Sequence, residues 1–230
     1  MVEPLRRVLV KRPDEAFAVE DPARWHYASR PDLDEARREH DALVEILTRA
    51  GAEVIDHPEP QPDRADAIFV FDPVLVTDRG AVILRMGKEL RRGEEAALAR
   101  RLREIGVPVL VELGGEALAE GGDLLWLDPR TLAAGQGFRT NAEGLRQLRE
   151  VLTGVEVLPV ELPYFTGPEA CLHLLSLISL VDRDLAVVYP PLMPVSFWKL
   201  LRDRGFQMVE VPEEELPTMG PNVLALAPRK

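Results

Sequence analysis

The apolar and polar positions fall into short apolar runs, amphipathic stretches and glycine stops. Val8-Leu9-Val10 reads as a strand stopped by Pro13. Residues 14–30 are irregular and bring Trp25, His26 and Tyr27 close together. Such a loop is either a lid over a site or a hydrophobic plug. A helix follows, with Asp32 as N-cap and Glu35 completing a capping box. Leu33, Ala36, His40, Leu43, Val44 and Leu47 repeat at helical spacing, and Gly51 closes the helix before the strand Glu53-Val54-Ile55. Ile68-Phe69-Val70-Phe71 and Val74-Leu75-Val76 read as extended, interrupted by Asp72-Pro73. A turn at Asp78-Arg79-Gly80 returns the chain as Ala81-Val82-Ile83-Leu84. A helix is predicted over 94–105 and ends at Gly106. Val107-Pro108-Val109-Leu110-Val111 follows as an edge strand or strand start, since proline cannot donate to a ladder.

The hairpin pattern returns between Glu120 and Ala134, turning at Asp128-Pro129-Arg130, and between Leu172 and Tyr189, turning at Asp182-Arg183-Asp184. Residues 135–140 read as a loop and Asn141 as the cap of a helix whose apolar face is Leu145, Leu148 and Leu152. Gly154 stops it, and Val155-Glu156-Val157-Leu158 is a strand. A last helix over 197–202 ends at Gly205 and gives way to Phe206-Gln207-Met208-Val209. Residues 222–227 read as the first arm of a further hairpin.

Gly51, Gly106, Gly154 and Gly205 thus recur at helix ends, roughly 50 residues apart, each with a strand behind it. The predicted unit is strand, strand, helix, strand. One such unit cannot bury its own sheet. Several units around an axis can, with helices outside and strand ends converging on one central site. The fold class expected is therefore an α/β propeller of repeated ββαβ units, in one domain over residues 1–230. A doubly wound sheet is the alternative, and the hairpins speak against it.

Composition narrows this picture. The 230 residues are long enough for a sizeable core, and 46% hydrophobic with 29% charged residues suits a soluble globular protein. A net charge of −11 argues against nucleic acid as a partner and for a cytoplasmic protein. The single cysteine excludes an intramolecular disulfide framework and a cysteine-based zinc site. No signal peptide and no apolar run long enough for a membrane span is read, so no membrane partner is expected. Self-association is left open. The excess of arginine over lysine, with frequent proline and scarce asparagine, hints at a GC-rich or heat-adapted source.

Candidate chemistry centres on Glu120-Gly121-Gly122-Asp123, followed at once by Leu124-Leu125-Trp126-Leu127. Glycines permit close backbone approach, so an acid at this turn, braced by a strand, can grip a cation. An ordinary surface turn with solvated acids fits the same four residues. His173 lies in an apolar run and reads either as a satisfied core residue or as an acid/base. Asp72 before Pro73 could shape a turn, Arg91 could be solvated helix-entry charge, and Arg139 could anchor its loop.

Phe69-Val70-Phe71-Asp72, Glu120-Gly121-Gly122-Asp123, Arg139-Thr140-Asn141 and Leu172-His173-Leu174 together resemble the guanidine-modifying penteins, from about Val8 to the last residue. These are the dimethylarginine dimethylaminohydrolases, arginine deiminases and amidinotransferases. The resemblance implies a five-unit α/β propeller and attack of a cysteine thiolate on a guanidinium carbon. It implies Glu120 as the guanidinium-binding carboxylate and His173 as the acid/base. It also places Phe69, Asp72 and Asp123 at the substrate, with Arg91 and Arg139 on its carboxylate. The expected partner is a small guanidino compound, an arginine derivative, with no cofactor and no metal.

Three departures qualify the resemblance. The arginine deiminases carry an acid two residues after the histidine, where this chain has Leu175, which favours the dimethylarginine-hydrolase branch. That branch often has an acid where Phe71 stands, which bears on recognition of dimethylarginine itself. The family nucleophile lies in the fifth unit, which is incomplete at Lys230, so the nucleophile is expected beyond Lys230. Cys171 shares a strand face with His173 as residues i and i+2, yet the family places no nucleophile there. An amidinotransferase, or a pentein that has lost catalysis and binds a partner as the ribosome anti-association factors do, is the alternative.

Overall fold

The computed structural model describes residues 2–169 and 172–230. The chain divides into two compact units, one of Arg6–Gly114 and one of Gly115–Lys230 with the N-terminal residues up to Leu5.

The first unit opens with β1 (Arg7–Val10), α1 (Leu33–Arg49) and β2 (Glu53–Asp56), and β1 and β2 pair in parallel. Asp32 caps α1 by accepting from the Glu35 N–H at 2.9 Å. Leu47 faces inward, whereas Leu43, read as part of the apolar face, is 45% exposed. β3 (Val74–Thr77) and β4 (Gly80–Ile83) form an antiparallel hairpin, and α2 (Glu94–Glu104) carries the chain to β5 (Val109–Glu112), parallel to β4. β4 lies between its neighbours and is buried throughout, packed with Val74, Leu98, Ala99 and Leu102. Each fully buried leucine of this kind contributes roughly 1.5–3 kcal/mol.

The second unit repeats that order twice. β6 (Leu124–Asp128), β7 (Thr131–Gln136), α3 (Ala142–Val151) and β8 (Glu156–Glu161) make one three-stranded sheet with β7 in the middle. β9 (Ile178–Asp182), β10 (Leu185–Val188), α4 (Val195–Asp203) and β11 (Gln207–Glu210) make another with β10 in the middle. In both, the hairpin is antiparallel and the strand after the helix is parallel. A core of Leu125, Leu127, Ala133, Leu174, Ile178, Val188, Phe197 and Leu201 fills the unit. Among the described residues the strands form four separate sheets and no continuous one.

Gly51, Gly106, Gly154 and Gly205 all stand at positive φ, from +78° to +93°, where side-chain-bearing residues are strained. That conformation is why the sequence spells the same stop four times.

Several expectations need correction. Residues 68–71 are not a strand: Ala65–Ile68 is a 3-10 turn, and the turns after it run to Pro73. Arg91 takes the carbonyls of Asp66 and Phe69 as acceptors, so these groups are withheld from any ladder. Glu120 does not begin a strand, because Gly121–Asp123 is a 3-10 turn that sets β6 back to Leu124. Residues 222–227 form no strand. Leu226 N–H meets Lys230, Val223 N–H meets Ser179, and Leu226 accepts from Leu5, which are single bonds to scattered partners and not a ladder. Among the described residues the first repeat has one strand before its helix, β1, where the others have a hairpin.

Candidate active site

In the second unit the segment before β6, the loop after β7 and the turn before β9 meet at one buried carboxylate. Glu120 is 0% exposed, and its Oε2 lies 2.8 Å from His173 Nε2. Arg139 Nη1 approaches the same carboxylate at 3.4 and 3.5 Å. The three residues of the loop divide the work of holding Glu120. Arg139 offsets its charge. Thr140 Oγ1 accepts from the Glu120 N–H at 3.1 Å and donates to Asp123 Oδ2 at 2.7 Å. Asn141 caps α3 and also ties down the segment leading to Glu120, accepting from the Leu118 N–H and donating to the Glu116 carbonyl.

His173 is fixed from two further sides. A Cβ on Gly122 would stand 2.5 Å from its Nδ1, so only glycine lets the ring lie against this backbone. The His173 N–H is held by Ser176 Oγ at 3.2 Å. The histidine is 8% exposed and its Nε2 is directed at a carboxylate, which is not the setting of a histidine sealed in apolar packing. A carboxylate on one imidazole nitrogen orients the ring, as acid/base work requires.

Asp123 is buried with both oxygens engaged, Oδ1 by the Leu174 N–H at 3.0 Å and Oδ2 by Thr140. Burial pushes its carboxyl up to about 6, against the pull of His173 and Thr140. It braces the strand end and the histidine turn against each other.

The first unit holds a second cluster of buried charge. Arg91 Nη1 donates to Asp72 at 2.6 Å, Nη2 to Glu94 at 2.8 Å, and Nε to Glu94 at 3.0 Å. Burial works against its charge, and Asp72 and Glu94 outweigh it, so its pKa stands above the usual arginine value. Burial pushes Glu94 up to about 7, against the pull of Arg91. Phe69 lies with its ring centroid 5.9 Å from the Arg91 guanidinium carbon. Beside them Lys88 Nζ bonds Asp66 at 2.6 Å and the Trp25 carbonyl at 2.8 Å, and Tyr27 donates to Asp66 at 2.5 Å. The aromatic segment 14–30 is thereby tied to the turns that carry Phe69, Asp72 and Arg91.

A family model for eukaryotic N,N dimethylarginine dimethylhydrolase matches residues 23–230. The chain belongs to the dimethylarginine dimethylaminohydrolase family. It is 31% identical over 194 residues to the N(G),N(G)-dimethylarginine dimethylaminohydrolase of Streptomyces coelicolor, covering 84% of this chain and 71% of that protein. The Pseudomonas aeruginosa protein of the same name is 28% identical over 191 residues, covering 82% and 70%. The fold matches the solved structure of a Cys→Ser variant of the Pseudomonas aeruginosa protein complexed with citrulline. Its TM-score is 0.76 at 25% identity, over 92% of this chain and 78% of that one. This α/β fold is that of the dimethylarginine dimethylaminohydrolase structures.

The predicted residues therefore lie in two sets, Glu120, Asp123, Arg139 and His173 in one unit, and Phe69, Asp72 and Arg91 in the other. Thr140, Glu94, Lys88 and Asp66 were missed as parts of these clusters, whereas Gly122 makes the close backbone approach expected of it. The Arg139-Thr140-Asn141 run was the available signal for Thr140. For Lys88 and Asp66 the sequence held none, since their pairing links positions 22 residues apart. Cys171 lies outside the described residues.

Proposed function

We propose that the protein hydrolyses a C–N bond of a small guanidino compound, of which dimethylarginine is the leading candidate. The observation that carries this is the buried Glu120–His173 pair in a chain of this family. Glu120 takes the substrate guanidinium by charge-assisted hydrogen bonds. A cysteine thiolate attacks the guanidinium carbon. The C–N bond to the departing amine breaks as His173 gives that nitrogen its proton, leaving a thiouronium on the sulfur. His173 then takes a proton from water, which attacks the same carbon. The C–S bond breaks, releasing a ureido product and restoring the thiolate.

Arg139 is assigned to the substrate carboxylate, for which a guanidinium fork is suited. Asp72 is assigned as a second acid on the substrate and Phe69 as an apolar contact beside it. The sequence reading put Arg91 on the same carboxylate. All three of its nitrogens are engaged by Asp72, Glu94 and two backbone carbonyls, so its assigned role is to orient Asp72. Asp123 is likewise assigned a positioning role, its oxygens being spent on Thr140 and Leu174.

At the level of architecture, we propose one five-unit propeller domain whose fifth unit is incomplete over residues 1–230. The recurring strand-strand-helix-strand order supports it. A cytoplasmic location is proposed with it. Among the described residues no helix is long and apolar enough to cross a membrane.

The test is a panel of guanidines assayed for ammonia, alkylamine and ureido product, with the protein as the cell makes it. Dimethylamine release from dimethylarginine, lost in Glu120→Gln, is the expected result. Tight binding to a macromolecule without turnover of any guanidine would favour the binding-protein alternative.

A further inference from the structure

The proposed reading requires Glu120 to meet a ligand guanidinium, yet Glu120 is fully buried. The group already facing both of its oxygens is a guanidinium, that of Arg139. That contact is loose. A well-formed arginine–carboxylate pair has two parallel bonds near 2.7–2.9 Å. Here one nitrogen serves both oxygens at 3.4 and 3.5 Å. The Arg91 pairs, at 2.6 and 2.8 Å, show what this chain builds where an arginine is to stay.

Arg139 also lines a cavity of about 380 Å³, together with Phe138, Glu161, Leu162 and Tyr164. Neither Glu120 nor His173 lines it. Phe138 and Tyr164 meet edge to face at its rim, with centroids 5.9 Å apart, and both are exposed. Arg139 therefore has the acid on one side and room on the other, with an entry from solvent.

We propose that Arg139 is an exchangeable counter-ion of Glu120 and a specificity-determining residue. A ligand carboxylate entering the cavity draws the Arg139 fork away from Glu120, and the ligand guanidinium takes the vacated place. Recognition of the anionic end thus uncovers the site for the cationic end. A guanidine with no anionic group has to displace Arg139 unaided, and its apparent affinity falls by the fraction of sites that are open. The inference rests on the guanidine reading of Glu120 given above.

The test uses isothermal titration with two probes, methylguanidine and dimethylarginine, in a His173→Ala background so that nothing turns over. Adding Arg139→Gln should tighten methylguanidine binding about tenfold, the effect of opening a site that Arg139 holds nine-tenths of the time. The same change should weaken dimethylarginine at least about tenfold through loss of the carboxylate fork. Loss of affinity for both probes, or no change for methylguanidine, overturns the proposal. Arg139→Met serves if the glutamine variant does not fold. In the unaltered protein, saturating propionate should tighten methylguanidine binding, because coupling between two ligands is reciprocal. Propionate that leaves it unchanged or weakens it overturns the proposal as well. Glu120→Gln separates the two levels: if it spares dimethylarginine binding, the guanidine reading itself fails, whatever Arg139 does.

Discussion

The two buried charge clusters use the same groups in opposite ways. Around Arg91 three guanidinium nitrogens meet five acceptor groups or oxygens, with contacts down to 2.6 Å. Around Glu120 the carboxylate meets His173 at 2.8 Å and Arg139 only at 3.4 Å. The first arrangement is over-determined: a charge removed there leaves a partner buried and unpaired. The second is loosely closed on the arginine side and rigid on the histidine side, where Gly122, Ser176 and Asp123 fix the turn. The contrast teaches that burial of charge alone does not mark a reacting centre. In the proposed reading the mark is a firmly held acid with one long contact, that of Arg139 to Glu120.

Mutations should separate the two. His173→Ala should lower kcat about a thousandfold, within the usual range for general acid–base catalysis, with little change in Tm. An equal loss of stability would make His173 a core residue and erase the distinction. Arg91→Ala should instead cost about 4 kcal/mol of stability, read by urea unfolding, because Asp72 and Glu94 lose their shared cation. Arg139→Gln should cost less stability than Arg91→Ala, because Arg139 meets its buried carboxylate at 3.4 Å and through one nitrogen only.

A pH titration sharpens the rigid side of the acid site. Asp123 is raised to about 6 in the folded protein, above its ordinary carboxylate value. The folded state therefore binds this proton more tightly than the unfolded one. Its contribution to stability is present below pH 4 and is lost as pH rises to about 6, by about 3 kcal/mol at most. Asp123→Asn should flatten this segment of the stability profile, as measured by urea midpoints at pH 4, 5, 6 and 7. The smallest effect is expected at Tyr27→Phe. Losing its bond to Asp66 should cost about 1 kcal/mol and raise proteolytic nicking within residues 14–30, while the Arg91 pairs persist.

How much of this was legible in the sequence follows from the range of each interaction. Asp32, Asn141 and the four helix-ending glycines act on backbone within a few residues, so the helices and the strands after them could be read directly. Ile68 to Phe71 could not, because the Asp66 and Phe69 carbonyls are taken both by local turns and by Arg91, 22 residues away from Phe69. The apolar letters suggested a strand where a distant guanidinium holds the carbonyls. At the acid site, Glu120 and His173 were legible as candidates, since their flanking glycines and apolar runs are local. That Arg139 sits on Glu120, and that Thr140 joins it to Asp123, depends on loops meeting across the fold. The aromatic segment was open between lid and plug. Its ties through Tyr27 and Trp25 to Asp66 and Lys88 show where it is anchored in this state.

The most direct test of the central claim is a crystal structure of the His173→Ala protein with dimethylarginine bound. The account predicts the ligand guanidinium within about 3 Å of both Glu120 oxygens, with Arg139 turned to the ligand carboxylate. A ligand bound elsewhere, with Arg139 still facing Glu120, would contradict it.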